Sequence, residues 1–84
     1  MEPSEIQAKL LELLTRIAPD IDPGSVVAER DLRDQFDFDS MDALHFAVAV
    51  SEGFGIPVAD TDYGKLASLR SAVDFVREGL TRKA

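Results

Sequence analysis

The 84-residue chain has no cysteine, a single histidine and only nine lysines and arginines. The absence of cysteine excludes a disulfide framework, a thiolate nucleophile and a cysteine-ligated metal site. No uninterrupted apolar segment approaches membrane-spanning length, and the first ten residues lack the basic stretch and apolar run of a secretory signal. We therefore expect a cytoplasmic protein without membrane insertion.

Acidic residues outnumber basic ones: sixteen aspartates and glutamates against nine lysines and arginines give a formal net charge of -7. An acidic surface repels phosphate backbones, which makes nucleic acid a poor partner and basic protein surfaces better ones. The imbalance is largest in residues 31–65, which hold eight acidic and two basic residues. The negative field is therefore centred on the middle third of the chain.

The length of the chain is too small for two lobes with a cleft between them. Apolar residues make up 45% of it, as expected for a globular protein. We expect one monomeric domain over residues 1–84.

The first predicted helix begins at Ser4, whose hydroxyl and Gln7 form a capping-box pattern, and it ends before Pro19. Residues 20–38 contain Pro23-Gly24 and scattered aspartates, which predicts a long surface loop. We expect five apolar side chains to anchor this loop to the core: Ile21, Val26, Val27, Leu32 and Phe36.

Three further helical segments follow the loop. Asp39 caps a second helix that begins with Ser40 and closes near Gly53. Asp60 or Thr61 caps a single short turn through Tyr63, with Gly64 limiting it, and Ser68 caps the last helix. With no period-two strand pattern, three longer helices and one short helix predict an all-α four-helix bundle. The predicted core comprises Ile6, Leu10, Leu14, Phe46, Val50, Phe54, Leu66, Leu69, Ala72, Val73 and Val76.

The second helix carries two apolar stripes. The longer one, which suits a core, contains Ala43, Phe46, Ala47, Val50 and Phe54. The shorter one, Met41, Leu44 and Val48, is here called the Met41 face. It is either an exposed contact site beside an acidic helix start or a second buried stripe.

Ser40 lies where the free amides and the dipole of the second helix favour an anionic group. A phosphate ester on its hydroxyl is therefore physically reasonable. The alternative is that Ser40 is an ordinary helix-start residue.

The segment Asp39-Ser40-Met41-Asp42, followed by a helix ending in Glu52-Gly53-Phe54, resembles the acyl carrier protein family, whose Asp-Ser-Leu motif carries 4'-phosphopantetheine. The similarity extends over roughly residues 4–80 without a gap. Its downstream positions are Phe54, Ile56, Val58, Asp60, Lys65, Leu66, Leu69, Ala72, Val73, Asp74, Phe75 and Val76.

This resemblance implies that a phosphopantetheinyl transferase attaches the arm from coenzyme A to Ser40, with Asp39 as the adjacent motif aspartate. The arm's thiol would hold acyl intermediates as thioesters for partner enzymes of fatty-acid, lipid or polyketide-like biosynthesis. The chain itself would be a shuttle and not an enzyme. Its acyl group would be sheltered between the core residues.

Two departures from the family pattern affect the expected partners. Phe36-Asp37-Phe38 replaces the common Leu-Gly-Ala or Leu-Gly-Gly, which adds a charge and two rings beside Ser40. Several acidic positions of housekeeping carriers are His45, Ser51 and Gly53 here, so the partner enzymes are expected to differ. The predicted partner-binding residues are Met41, Asp42, Leu44, His45, Val48 and Glu52.

Two other functions stay open: an aminoacyl or peptidyl carrier, and an unmodified helical interaction module that docks through the Met41 face. A serine hydrolase is disfavoured because His45 lies about 140° round the helix from Ser40 and no nucleophile elbow exists. The aspartates between Asp31 and Asp42 lack the glycine and terminal glutamate of an EF-hand loop.

Overall fold

The computed structural model describes residues 1–83, which form a helical bundle. Its α-helices are α1 (Pro3–Ile17), α2 (Leu32–Gln35), α3 (Ser40–Phe54) and α4 (Leu69–Lys83). Two 3₁₀ segments, Pro23–Ser25 and Asp60–Leu66, lie in the connections. The described residues contain no β-strand beyond an isolated bridge between Asp31 and Ser68. The all-α prediction is confirmed.

The core lies where α1 packs against α3 and α4. All eleven residues of the predicted core are buried. Six more apolar residues join them: Leu13, Ile21, Leu32, Phe38, Ala47 and Ile56. None of the helices within residues 1–83 combines the length and apolarity that crossing a bilayer requires.

The start of α1 differs from the prediction. The helix begins at Pro3, and the Glu2 amide N–H donates to Glu5 Oε1 at 3.0 Å. Proline is favoured at the first helical position because its missing N–H has no partner there in any case. Ser4 is therefore inside the first turn, and the predicted Ser4–Gln7 capping box is wrong.

The connection between α1 and α3 is more ordered than a surface loop. The Leu32 side chain is 1% exposed, and its amide N–H donates to the Ala67 carbonyl at 2.8 Å. The Gln35 amide group accepts from the Val27 N–H at 2.7 Å and donates to the Val27 carbonyl at 2.8 Å. Val27 is thus held through its backbone, and the prediction that its side chain anchors the loop is wrong, since the residue is 43% exposed.

The segment after α3 also begins and ends differently from the prediction. Gly55, at φ 67°, ends α3 in the left-handed conformation that glycine adopts readily. The 3₁₀ segment then runs through Gly64 to Leu66, and Asp62 caps it by accepting from the Ala59 N–H at 3.0 Å. The predicted cap at Asp60 or Thr61 is therefore wrong. Ser68 does cap α4, since its Oγ accepts from the Ser71 N–H at 3.2 Å.

Candidate functional site

The start of α3 is fixed by two aspartates that cap each other. The Asp42 amide N–H donates to Asp39 Oδ1 at 2.9 Å, and the Asp39 amide N–H donates to Asp42 Oδ2 at 3.3 Å. This reciprocal arrangement satisfies amides that have no partner inside the helix. The predicted cap at Asp39 is confirmed, and Ser40 lies between the two capping residues.

Ser40 is exposed, and its hydroxyl forms no hydrogen bond with any of residues 1–83. His45, the one imidazole of the chain, is exposed further along α3 and forms no hydrogen bond with Ser40. No group of three histidine, aspartate or glutamate side chains is placed to hold a metal ion in the described part of the chain. The site therefore presents a hydroxyl that is hydrogen-bonded to neither an imidazole nor a carboxylate of the described residues.

A cavity of about 370 Å³ opens beside Ser40. Its lining includes apolar side chains of α3 and that of Phe38, two residues before α3, together with residues of the 3₁₀ segment Asp60–Leu66. Two exposed charged residues of the preceding connection, Asp31 and Arg33, complete the lining. The lining residues are Asp31, Arg33, Phe38, Ser40, Ala43, Phe46, Tyr63, Gly64, Leu66 and Ala67.

Asp62 holds the 3₁₀ wall of this cavity in place. Its carboxylate accepts the hydrogen bond from the Ala59 N–H and lies 3.4 Å from the Lys65 Nζ. The backbone hydrogen bond, assisted by Lys65, lowers the pKa of Asp62 below the usual value for an aspartate. Its charged form therefore helps to stabilise the segment that carries Tyr63 and Leu66.

The Met41 face is exposed: Met41 is 57%, Leu44 37% and Val48 47% accessible. The longer stripe of α3 supplies Phe46, Ala47, Val50 and Phe54 to the core, with Ala43 half-buried. The interpretation in which both stripes are buried is wrong. Three large apolar side chains on one helix face are unusual for a surface that contacts only water.

Two acidic side chains and the histidine of α3 lie beside the Met41 face. His45 and Glu52 are exposed and Asp42 is partly buried. No ion pair within residues 1–83 includes Asp39 or a side chain of α3, so the charges of Asp39, Asp42 and Glu52 are not neutralised by neighbouring lysines or arginines. The helix thus combines apolar contact area with an uncompensated negative field.

Comparison with known proteins identifies the family. The family model described as the phosphopantetheine attachment site matches residues 8–76, which include Ser40 and the whole cavity lining. The chain belongs to the acyl carrier protein family. Members of this family are carriers rather than catalysts, and their phosphopantetheine-binding domain holds a covalently attached 4'-phosphopantetheine.

Three bacterial acyl carrier proteins illustrate the similarity. That of Thermosynechococcus vestitus is 30% identical over 73 residues, which cover 83% of this chain and 90% of the relative. That of Rubrobacter xylanophilus is 30% identical over 81 residues, or 96% of this chain and 99% of the relative. That of Tropheryma whipplei strain Twist is 34% identical over 71 residues, or 81% and 87% respectively.

The residues around Ser40 fit such a group. The hydroxyl is accessible and unbonded, the first turn of α3 is already capped by its own aspartates, and an apolar-walled cavity lies alongside. Sequence reasoning missed the cavity role of Phe38, Tyr63 and Arg33. Phe38 stood out as a departure from the family pattern, but its burial depends on how the connection folds back over α3.

Proposed function

We propose that residues 1–84 form one carrier domain that acts as a monomer in the cytoplasm and bears 4'-phosphopantetheine on Ser40. It carries acyl groups between enzymes of fatty-acid, lipid or polyketide-like biosynthesis and performs no catalysis itself. The observation that carries this proposal is the exposed, unbonded Ser40 hydroxyl at a capped helix start, inside the region that matches the family model.

The chain's own residues divide the work at this site. The capped helix start holds the backbone of Ser40 in one conformation. An external transferase therefore finds the hydroxyl in the same position on every molecule. Asp39 uses one carboxylate oxygen for the cap, and its other oxygen forms no hydrogen bond within residues 1–83, which leaves that oxygen available to the transferase. When bound, the arm supplies the thiol that this cysteine-free chain lacks.

Partner enzymes contact α3 through the Met41 face together with Asp42, His45 and Glu52. The apolar side chains provide contact area that is stable once water is excluded. The acidic residues attract lysines and arginines around a partner's active site, which speeds encounter more than it tightens the complex.

The test is the intact-protein mass before and after incubation with coenzyme A and a broad-specificity phosphopantetheinyl transferase. Ser40→Ala is compared with Ser4→Ala, because Ser4 is also an exposed serine in the first turn of a long helix. We expect one phosphopantetheine on the wild type and on Ser4→Ala, and none on Ser40→Ala.

A gain on Ser40→Ala would contradict the site assignment. No gain on any form with several transferases would favour the unmodified interaction module instead. Transfer of amino acids rather than acyl groups to the loaded arm would favour the aminoacyl carrier.

A further inference from the structure

Arg33 is the only basic side chain among the described residues that line the cavity beside Ser40. The residue is exposed, and no ion pair within residues 1–83 includes it. The other basic residue of the acidic segment 31–65 is Lys65, which lies 3.4 Å from the Asp62 carboxylate and does not line the cavity. Arg33 therefore brings to the cavity a positive charge that has no carboxylate partner within the described residues.

The surroundings of Ser40 are otherwise negative. Asp39 precedes it, Asp42 lies in the same turn, and Asp31 lines the cavity together with it. Negative charges at short range repel one another. A phosphodiester on Ser40 adds a further negative charge to this group of carboxylates, so a nearby cation stabilises the modified form.

The start of α3 has fewer donors for a phosphate than an ordinary helix start. Phosphate groups at such positions usually accept hydrogen bonds from backbone amides. Here the amide N–H groups of Asp39 and Asp42 already donate to the carboxylates of the cap, at 3.3 and 2.9 Å. The guanidinium of Arg33 is the strong donor that the cavity lining offers in their place.

We propose that Arg33 pairs with the phosphate of the 4'-phosphopantetheine arm, an inference that rests on the proposed attachment at Ser40. A guanidinium can donate two parallel hydrogen bonds to phosphate oxygens, which makes arginine better suited than lysine to this contact. Arg33 and Ser40 line the same cavity, so the pair joins residues that already border one space. Arg33 thus holds the end of the arm next to the protein, and the thiol at the other end is left to partner enzymes.

The experiment compares the unloaded and loaded forms of the wild type and three variants, with the transferase reaction run to completion and checked by intact mass. Arg33→Gln removes the charge, and Arg33→Lys keeps the charge without the planar set of donors. Arg30→Gln is the matched control, because Arg30 is an exposed arginine of the same connection that does not line the cavity. The readouts are the phosphorus NMR resonance of the phosphodiester and the change in melting temperature that loading causes.

We expect Arg33→Gln to move the phosphorus resonance away from its wild-type position. The change in melting temperature on loading should be less favourable than in the wild type by about 2–4 °C, the effect of losing one solvent-exposed pair. Arg33→Lys should lie between these two proteins, and Arg30→Gln should match the wild type. In about 1 M NaCl the wild type should approach Arg33→Gln, because salt screens an exposed pair.

A loaded Arg33→Gln with the wild-type resonance and the wild-type change in melting temperature would overturn the role of Arg33 and leave the carrier function standing. Equal effects of Arg30→Gln and Arg33→Gln would also overturn it, because they would reflect net charge alone. Absence of loading on every form would instead overturn the proposed function, and this inference with it.

Discussion

Asp39 and Asp42 exchange hydrogen bonds across the first turn of α3, each carboxylate accepting from the other residue's backbone N–H at 2.9 and 3.3 Å. Ser40 lies between them and takes part in neither bond. The residues that organise the site are therefore separate from the residue proposed to be modified. This separation makes stability and modification independently measurable.

The cap predicts different results for two substitutions of Asp39. Asp39→Ala should lower the free energy of unfolding by about 1 kcal/mol, because a first-turn amide loses its acceptor. Asp39→Asn should be nearly neutral for stability, since asparagine caps about as well. Urea denaturation checks both values, and transferase loading under identical conditions separates the cap from the charge. Slow loading of both variants would show that the transferase needs the carboxylate, whereas slow loading of Asp39→Ala alone would assign the effect to the cap.

The exposure of the Met41 face predicts that a charge there disturbs partners and not folding. Met41→Glu and Leu44→Glu should change the free energy of unfolding by no more than about 0.5 kcal/mol. They should slow transferase loading roughly tenfold, the effect of losing about 1.4 kcal/mol of contact energy. The control on the same helix is Ala47→Glu, which buries an unpaired charge at a 2% exposed position and should cost about 3–5 kcal/mol. Loading of Met41→Glu and Leu44→Glu at the wild-type rate would remove the Met41 face from the contact site.

The order of the α1–α3 connection depends on the buried side chain of Leu32. Leu32→Ala should lower the free energy of unfolding by about 2–5 kcal/mol, because it leaves a cavity under α2. Val27→Ala, in the same connection but exposed, should change it by no more than about 0.5 kcal/mol. Thermal and urea unfolding followed by circular dichroism measure both. Equal effects of the two substitutions would mean that the connection is not anchored through Leu32.

The lowered pKa of Asp62 makes part of the stability dependent on pH. A carboxylate whose pKa is lowered by folding contributes stability above its ordinary pKa, and that contribution disappears as the pH falls through the lowered value. Asp62→Ala should therefore melt below the wild type near pH 7, and the difference should narrow as the pH falls below the ordinary pKa of an aspartate. The exposed Asp60→Ala is the control in the same segment. A difference for Asp62→Ala that stays constant with pH would contradict the role of its charge.

The helix-forming apolar patterns were sufficient to predict the bundle and its main core. Spacing of three and four residues separated the buried stripe of α3 from the Met41 face, because burial on a helix follows its geometry directly. The cap at Asp39 was equally readable, since it involves residues three apart in sequence. These are local relationships that need no knowledge of the rest of the fold.

Contacts between distant segments were not readable in this way. The Leu32 amide N–H donates to the carbonyl of Ala67, and the Gln35 side chain binds the backbone of Val27. The position of α2 therefore depends on residues that a local sequence pattern does not identify. Phe38 was expected to be a ring beside the attachment point, and its burial against Phe46 follows from the path of the connection. The cavity therefore could not be predicted from the sequence, because its lining residues come from separate segments of the chain.

The assignment of the modification to Ser40 is tested most directly by tandem mass spectrometry of peptides from the loaded wild-type protein. We expect phosphopantetheine to be released only from the peptide that contains Ser40. Release from a peptide containing any other serine, with the Ser40 peptide unmodified, would contradict it.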